Sequence, residues 1–199
     1  MRLLFSIAAA GFLLAGCAQE DALQLENVNV TLEDEKEETG AIAILSGENE
    51  GELVVPIVLR YTFTLQNTGN DSLGTNEARE DQTVVSDEEL YVRIEPKETL
   101  AETAEIMLDE NIFAINEDGW QVEGFGTGYM GAPMIEENSG AEYVLDFVLG
   151  AEVENPEIPT VPSSEELEQL LAQAREAEIV VELDGGVFER FDLSEELED

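Results

Sequence analysis

The sequence predicts a mainly β protein built as an antiparallel β-sandwich, and three observations support this fold class. Apolar and polar residues alternate with period two in several short segments. Clusters of turn-forming residues separate these segments, and no helical pattern lies between them. The hydrophobic fraction of 43% is that of a globular protein. Short strands at this spacing indicate two packed antiparallel sheets.

The clearest strand runs from Val55 to Gln66. Its odd-numbered positions from 57 to 65 are all apolar or aromatic, while Arg60 and three other polar residues occupy even positions. Pro56 lies near its start, where a missing backbone N–H is tolerated. Residues 67–72 contain Asn, Thr, Gly, Asp and Ser, which predicts a turn at its end.

Six further segments have a similar composition and are predicted to be strands. They are Leu25–Leu32, Ala41–Leu45, Leu90–Ile94, Glu105–Leu108, Ile112–Ile115 and Glu142–Leu149. In the last segment Tyr143, Leu145, Phe147 and Leu149 share one face. The strands place the sandwich domain in residues 25–153.

The C-terminal part has a different pattern. Prolines at every third position predict an extended linker over 154–162, and the Ser-x-x-Glu pattern from Ser163 predicts a capped helix to about Ala177. A hairpin is expected next, with Asp184-Gly185-Gly186 as its turn. Because an isolated hairpin is marginally stable, we expect residues 163–193 to pack on the sandwich; an independent second domain is the alternative. Residues 194–199 are expected to form an acidic tail.

Two segments resemble a known domain type. Residues 61–70, which read YTFTLQNTGN, and residues 138–143 with the strand after them resemble immunoglobulin-like domains of exported bacterial proteins. The resemblance implies an immunoglobulin-like sandwich. The chain lacks the cysteine pair and the core-strand tryptophan of antibody domains, so the resemblance transfers no binding residues.

The N-terminus has the pattern of an export signal. Met1-Arg2 is basic, Leu3–Leu14 is apolar but too short to span a bilayer, and Leu14-Ala15-Gly16-Cys17 follows. The last four residues resemble the lipobox of bacterial lipoproteins. This implies that residues 1–16 are removed, that Cys17 carries acyl chains such as palmitate, and that residues 17–24 tether the domain. The alternatives are an ordinary signal peptide with a chance cysteine, or a buried helix.

The expected location follows from the same resemblance. Cys17 is the only cysteine, so it has no disulfide partner, and acylation would give it a role. Ala18 is not the aspartate associated with inner-membrane retention. We therefore expect an extracytoplasmic protein anchored, through the lipid on Cys17, to the outer membrane or to the outer face of a single membrane.

The charge balance excludes several function classes. The chain has 47 Asp and Glu, 8 Lys and Arg and no His, for a formal net charge of -39. Without histidine there is no Ser-His-Asp or Cys-His nucleophilic site and no imidazole metal site. The scattered cations argue against a nucleic-acid partner. Such acidity resembles proteins of halophilic organisms; a moderately acidic extracellular protein from a mesophile is the alternative.

A glycine-rich stretch contains the candidate binding residues. Trp120, Phe125 and Tyr129 gather on it, and such rings can stack on a carbohydrate or anchor a protein partner. The alternative is that they cap one end of the core. Residues 126–131 match G-x-G-x-x-G as a string, but Pro133 follows where a helix is required, so no dinucleotide site is expected.

No metal site is predicted. Calcium is the one cofactor considered, and the sequence signal for it is weak. Residues 67–71, 109–111 and 116–119 offer carboxylate and amide oxygens on expected loops. None fits the calcium-loop motif, and acidic clusters arise by chance in so acidic a chain.

Together these observations predict a lipid-anchored, extracytoplasmic binding module of the cell envelope with no catalytic activity. Two alternatives stay open at this point. One is a calcium-dependent surface binding protein. The other is a carboxylate-based hydrolase, which needs only Asp and Glu but requires a fixed pair across a cleft.

Overall fold

A computed structural model describes residues 22–47, 49–76, 89–115, 127–153 and 158–195. Within those ranges the chain is mainly β, with antiparallel sheets and three helices. The elements are β1 (Leu23–Glu33), α1 (Lys36–Thr39), β2 (Ile42–Ala43), β3 (Leu53–Val54), β4 (Pro56–Asn67), β5 (Leu73–Gly74), β6 (Tyr91–Pro96), α2 (Glu98–Leu108), β7 (Thr127–Met130), β8 (Met134–Ile135), β9 (Gly140–Ala151), α3 (Ser164–Gln173), β10 (Ala177–Leu183) and β11 (Gly186–Asp192). The mainly β, antiparallel class is confirmed.

The large sheet has the strand order β1-β4-β9-β7. Its central pair, β4 and β9, places Tyr61 opposite Leu145 and Arg60 opposite Asp146. Because side chains alternate along a strand, the first pair lies on the inner face and the second on the outer face. The predicted alternation in both strands is confirmed, since the inner positions are buried.

The small sheet has the order β11-β10-β6, and β10 pairs antiparallel with both neighbours. The predicted C-terminal hairpin is therefore confirmed as β10 and β11. Asp184 and Gly185 adopt positive φ values of 55° and 70° in its turn, a conformation that Asp tolerates and Gly favours. Two short antiparallel pairs, β2–β3 and β5–β8, complete the strand pairing.

One core joins the two sheets with helices α2 and α3. Its fully buried side chains include Tyr61 and Phe147 from the large sheet, Ile94 and Ile179 from the small sheet, and Leu170 from α3. The Tyr61 hydroxyl donates to the carbonyl of Ala174, just after α3, at 2.7 Å. The C-terminal helix and hairpin thus share their hydrophobic core with the large sheet.

A second, smaller cluster lies on the opposite side of the large sheet, under the β2–β3 hairpin. Its members are Ile44, Val54, Val58, Val148, Ala151 and Ile158. Ala151 also pairs with Thr160 through a parallel bridge, so residues 158–161 run beside the end of β9. The part of the predicted proline-rich linker that the structure describes is therefore hydrogen-bonded to the sheet.

Two predicted strands are wrong. Glu105–Leu108 belongs to helix α2, whose buried residues Leu100, Ala104 and Leu108 recur every fourth position and so lie on one helix face. Ile112–Ile115 is a turn: the Asn111 side chain accepts the N–H of Phe113 at 3.0 Å. A helix therefore lies between β6 and β7, where the sequence predicts none.

The other predicted elements differ mainly at their ends. Helix α3 has the predicted capping box, because Ser163 Oγ accepts the N–H of Glu166 and the Glu166 carboxylate accepts the N–H of Ser163. It ends at Gln173 rather than Ala177, where β10 begins. The strand expected over 41–45 is shortened to β2. None of the helices in the described ranges is long and apolar enough to cross a membrane.

Candidate functional site

The outer face of the large sheet holds a groove of about 510 Å³, which we call the sheet groove. It lies across β4, β9 and β7, with α1 at one side. Its lining residues are Glu38, Arg60, Thr62, Gly128, Tyr129, Met130, Glu142, Val144 and Asp146. The volume falls within the usual range of small-molecule sites.

Arg60 forms the centre of the groove floor. Its Nε and one terminal nitrogen donate to the two oxygens of Asp146 at 2.7 and 2.8 Å, because the β4–β9 register sets these residues opposite each other. It also donates to the carboxylate of Glu38 at 3.1 Å and to its carbonyl at 2.9 Å. The hydrogen bond with Asp146 raises the pKa of Arg60. Four of the five donors of the guanidinium are thus engaged, and the group is poorly placed to bind an anion.

The other walls of the sheet groove are acidic and partly apolar. Glu142 is exposed at one end, and Val144 and Met130 are neighbours across the β9–β7 register. The lining has three carboxylates and one guanidinium, which is itself paired. The groove therefore offers hydrogen-bond acceptors and a negative potential to ligands that carry hydroxyl or cationic groups.

Tyr129 is the predicted site residue that the structure describes. It lies on the edge strand β7, where its register opposite Leu145 directs the side chain to the inner side of the sheet. The ring stacks on Tyr91 with centroids 5.5 Å apart, and 43% of the residue is exposed. Burial of the hydroxyl raises the pKa of Tyr129, while a hydrogen bond with the Val92 backbone acts in the opposite direction. The ring thus links the large sheet to β6.

The other predicted site residues lie outside the described part of the chain. They are Cys17, Trp120 and Phe125. The structure therefore shows no relationship between Tyr129 and the two other aromatic residues. The apolar side chain that reaches the sheet groove from β7 is Met130, which is 60% exposed.

Gly128 and Gly131, on either side of Tyr129 in the sequence, lie where neighbouring side chains leave little room for a Cβ atom. A Cβ atom at Gly131 would clash with the Tyr143 ring, and one at Gly128 would come within 3.2 Å of the Asp146 Cβ. Residues 127–130 form strand β7, and the next element is the short strand β8. Here a strand occupies the place where a dinucleotide fingerprint requires a helix N-terminus.

In the two candidate calcium loops that the structure describes, asparagine side chains form local hydrogen bonds. Asn67 is fully buried; its amide donates to three carbonyls, including that of Asp71 at 2.9 Å, and its Oδ1 accepts the N–H of Gly69. Asn111 accepts the Phe113 N–H. Residues 116–119 lie outside the described ranges. Within those ranges no group of three or more Cys, Asp or Glu side chains is placed to hold a metal ion.

The outer face of the small sheet carries an ion-pair network that the sequence analysis missed. Arg93 contacts Glu95 at 2.7 Å and Glu182 at 3.0 Å, and Arg190 contacts Glu178 at 2.6 Å and Glu95 at 3.2 Å. Burial disfavours ionisation of Glu95, but the hydrogen bonds from Arg190 and Arg93 outweigh it and lower its pKa.

A neighbouring ion pair extends this network. Lys97 Nζ donates to both oxygens of Asp192 at 2.7 and 2.8 Å and to the Ser194 hydroxyl. The hydrogen bond from Lys97 is the main cause that lowers the pKa of Asp192 to about 2. A general acid needs the opposite shift, so neither Asp192 nor Glu95 suits that role at neutral pH.

Comparison with known proteins adds no assignment: no family model, no curated protein and no solved structure matches the chain.

Proposed function

We propose that the chain is a lipid-anchored binding module of the cell envelope, held at the outer membrane or the outer face of a single membrane by acyl groups on Cys17. The observation that carries the anchor is the Leu14-Ala15-Gly16-Cys17 motif. Strand β1 begins at Leu23, six residues after that cysteine. An extended chain spans at most about 3.5 Å per residue, so the tether reaches no more than about 20 Å.

The sheet groove supports the binding part of this proposal. Its acceptors suit a hydroxyl-rich carbohydrate or a cationic group of a protein partner, and Met130 offers an apolar contact. The role proposed for the groove is binding without catalysis. The acidic surface would suit high salt, where at about 1 M the Debye length is only about 3 Å.

The immunoglobulin-like sandwich is also part of the proposal. It is supported by the long antiparallel pair β4–β9 and by two antiparallel sheets that contribute to one core. Helix α2, between β6 and β7, is an addition that such a domain would have to accommodate.

Substitution of the cysteine tests the anchor. We expect Cys17→Ser to move the protein from the membrane fraction to the soluble fraction and to abolish incorporation of radiolabelled palmitate. Ala18→Ser, which keeps the cysteine, is the matched control and should stay in the membrane fraction. Equal partition of the wild type and Cys17→Ser would refute the anchor.

Substitution in the groove tests the binding role. Met130→Lys adds a cation to an exposed position at the wall, whereas Ile106→Lys adds the same charge at an exposed position on α2. With neutral oligosaccharides and a Lys-rich peptide as probes, we expect calorimetry to show saturable binding of one class by the wild type. Met130→Lys should weaken that binding, because it removes the apolar contact and repels cationic groups, and Ile106→Lys should leave it unchanged. Equal affinities of all three proteins would place binding elsewhere.

A further inference from the structure

A second groove lies at the other end of the large sheet from Leu23. We call it the distal groove; its volume is about 370 Å³, and its lining residues are Asp34, Leu53, Val54, Val55, Ile57, Glu152 and Val153. Strand β1 pairs Leu23 with Asn67 at one end and Glu33 with Val58 at the other. At about 3.4 Å per residue, its eleven residues separate the two ends by roughly 30 Å.

Strand β3 of the β2–β3 hairpin contributes two apolar residues, Leu53 and Val54, to the lining of the distal groove. Ile42 and Val54 pair across the hairpin and face the smaller hydrophobic cluster. Leu53 faces the other way, because neighbouring residues in a strand point to opposite sides. It is 62% exposed, and Leu45, which follows β2 in the same hairpin, is 74% exposed. Of these two exposed residues Leu53 lines the distal groove, where the described residues leave its aliphatic side chain uncovered.

The charges around the groove indicate what covers this surface. The lining consists of five apolar residues, Asp34 and Glu152, with no Lys or Arg. Further carboxylates flank it in sequence, at positions 33, 35 and 52. An apolar surface with an acidic rim is complementary to a segment whose apolar side chains lie beside Lys or Arg. A second copy of this chain is a poor occupant, since each copy has a formal net charge of -39.

We propose that the distal groove is a docking site for a basic, apolar peptide segment of another protein. Leu53 supplies the exposed apolar contact, and Asp34 and Glu152 hold the cationic side chains of the segment. If Cys17 is acylated as proposed, this end of the domain points away from the bilayer; that orientation rests on the proposed function, whereas the docking itself does not.

The test uses the full chain, purified in a neutral detergent, and a fluorescein-labelled peptide of alternating Leu and Lys. Fluorescence anisotropy should show saturable binding that weakens with salt, since opposite charges at the rim are screened. A peptide of alternating Leu and Glu should not bind, because its charges are repelled. A peptide of alternating Ser and Lys should bind at least about tenfold more weakly, because it lacks apolar side chains.

A pair of charge-matched variants separates docking from general attraction to an acidic surface. Leu53→Lys places a cation in the groove, and Ile106→Lys adds the same charge on α2, where the residue is 85% exposed. We expect Leu53→Lys to weaken binding at least about tenfold and Ile106→Lys to change it less than about twofold. Leu53→Gln, which keeps the charge, should also weaken binding, and circular dichroism checks that each variant folds.

Three results would overturn the proposal. Equal losses in Leu53→Lys and Ile106→Lys, or equal binding of the Ser-Lys peptide, would mean that the acidic surface attracts any cation. A dimer seen by sedimentation velocity in the wild type and lost in Leu53→Lys would make a second copy the occupant. The membrane partition of Cys17→Ser has an independent readout, so failure of the anchor and failure of this docking site are distinguishable.

Discussion

The outer faces of the two sheets use their cations differently. On the large sheet one guanidinium, that of Arg60, is bound by both oxygens of Asp146 and by Glu38. On the small sheet Arg93 and Arg190 share Glu95. Both arrangements depend on cross-strand register, which brings a cation opposite or next to a carboxylate.

The ion pairs differ in how well water reaches them, and the small sheet holds both kinds, since the side chain of Arg93 is only 9% exposed. The side chains of Arg60 and Asp146 are 13% and 18% exposed, whereas those of Arg190 and Glu95 are 41% and 43% exposed. A shielded pair is costly to break because the remaining charge is left without a partner, while an exposed pair contributes little. In this chain of few cations, the location of each cation therefore matters more to stability than the number of ion pairs.

The largest expected effect tests whether the two sheets depend on one core. The ring of Phe147 packs edge to face on Tyr61, with ring centroids 5.9 Å apart, and its centroid lies 4.7 Å from that of Phe113. We expect Phe147→Ala to lower the free energy of unfolding by about 3–5 kcal/mol, because it leaves a cavity in that core. Hydrogen exchange should show β4 and β10 losing protection together. The exposed control Val187→Ala should have little effect, and β10 protection unaffected by Phe147→Ala would mean that the sheets unfold separately.

A smaller effect tests the contrast between shielded and exposed ion pairs. Arg60→Met removes the partner of Asp146 and should lower the free energy of unfolding by about 2 kcal/mol, since the carboxylate remains partly buried. Arg190→Met should cost about 0.5 kcal/mol, because its partners are open to water. Urea unfolding measures both. Similar costs for the two variants would remove the contrast between the shielded and the exposed ion pair.

The smallest effect is a pH dependence in the Lys97–Asp192 pair. The folded-state pKa of Asp192 is about 2, below the usual 3.8. The ionised carboxylate of Asp192 therefore stabilises the fold above about pH 4. This stabilisation is lost as the pH falls through about 2. Asp192→Asn should therefore be less stable than the wild type at neutral pH, with a difference that shrinks from pH 4 to pH 2.

Thermal melts of the wild type and Asp192→Asn across this pH range measure the effect. Glu102→Gln, which removes an exposed carboxylate on α2, gives the contribution of net charge alone. A difference between wild type and Asp192→Asn that stays constant with pH would contradict the role of the ion pair.

The sequence predicts best those elements whose pattern is long. Burial alternates in β4 from Leu59 to Asn67 and in β9 from Glu142 to Phe147, and Ser163 with Glu166 marks the start of α3. Residues 105–108 are too few to distinguish strand from helix. The spacing of Leu100, Ala104 and Leu108 is typical of a helix. It becomes visible only when the segment considered starts at Leu100 and not at residue 105.

The sheet groove is not predictable in the same way. Arg60 and Asp146 are polar residues at outward positions of two predicted strands. This position is the signal that the sequence offers for their role in the sheet groove. Their contact depends on the register of β4 against β9, separated by 86 residues. Local periodicity carries no information on such a register. The local sequence instead favours Tyr129 as a binding residue, but the stacking of its ring on Tyr91 depends on the approach of β7 to β6.

The pairing of β6 with β10 has a consequence for the order of events during synthesis. Strand β6 ends at Pro96, and its partner β10 begins at Ala177. At about 5–20 residues per second, the roughly 80 residues between them take about 4–16 s to make. Throughout that interval the apolar face of β6 has no sheet to join. Completion of the small sheet is therefore a late step, and a nascent chain stopped before Ala177 would expose an unpaired strand to aggregation.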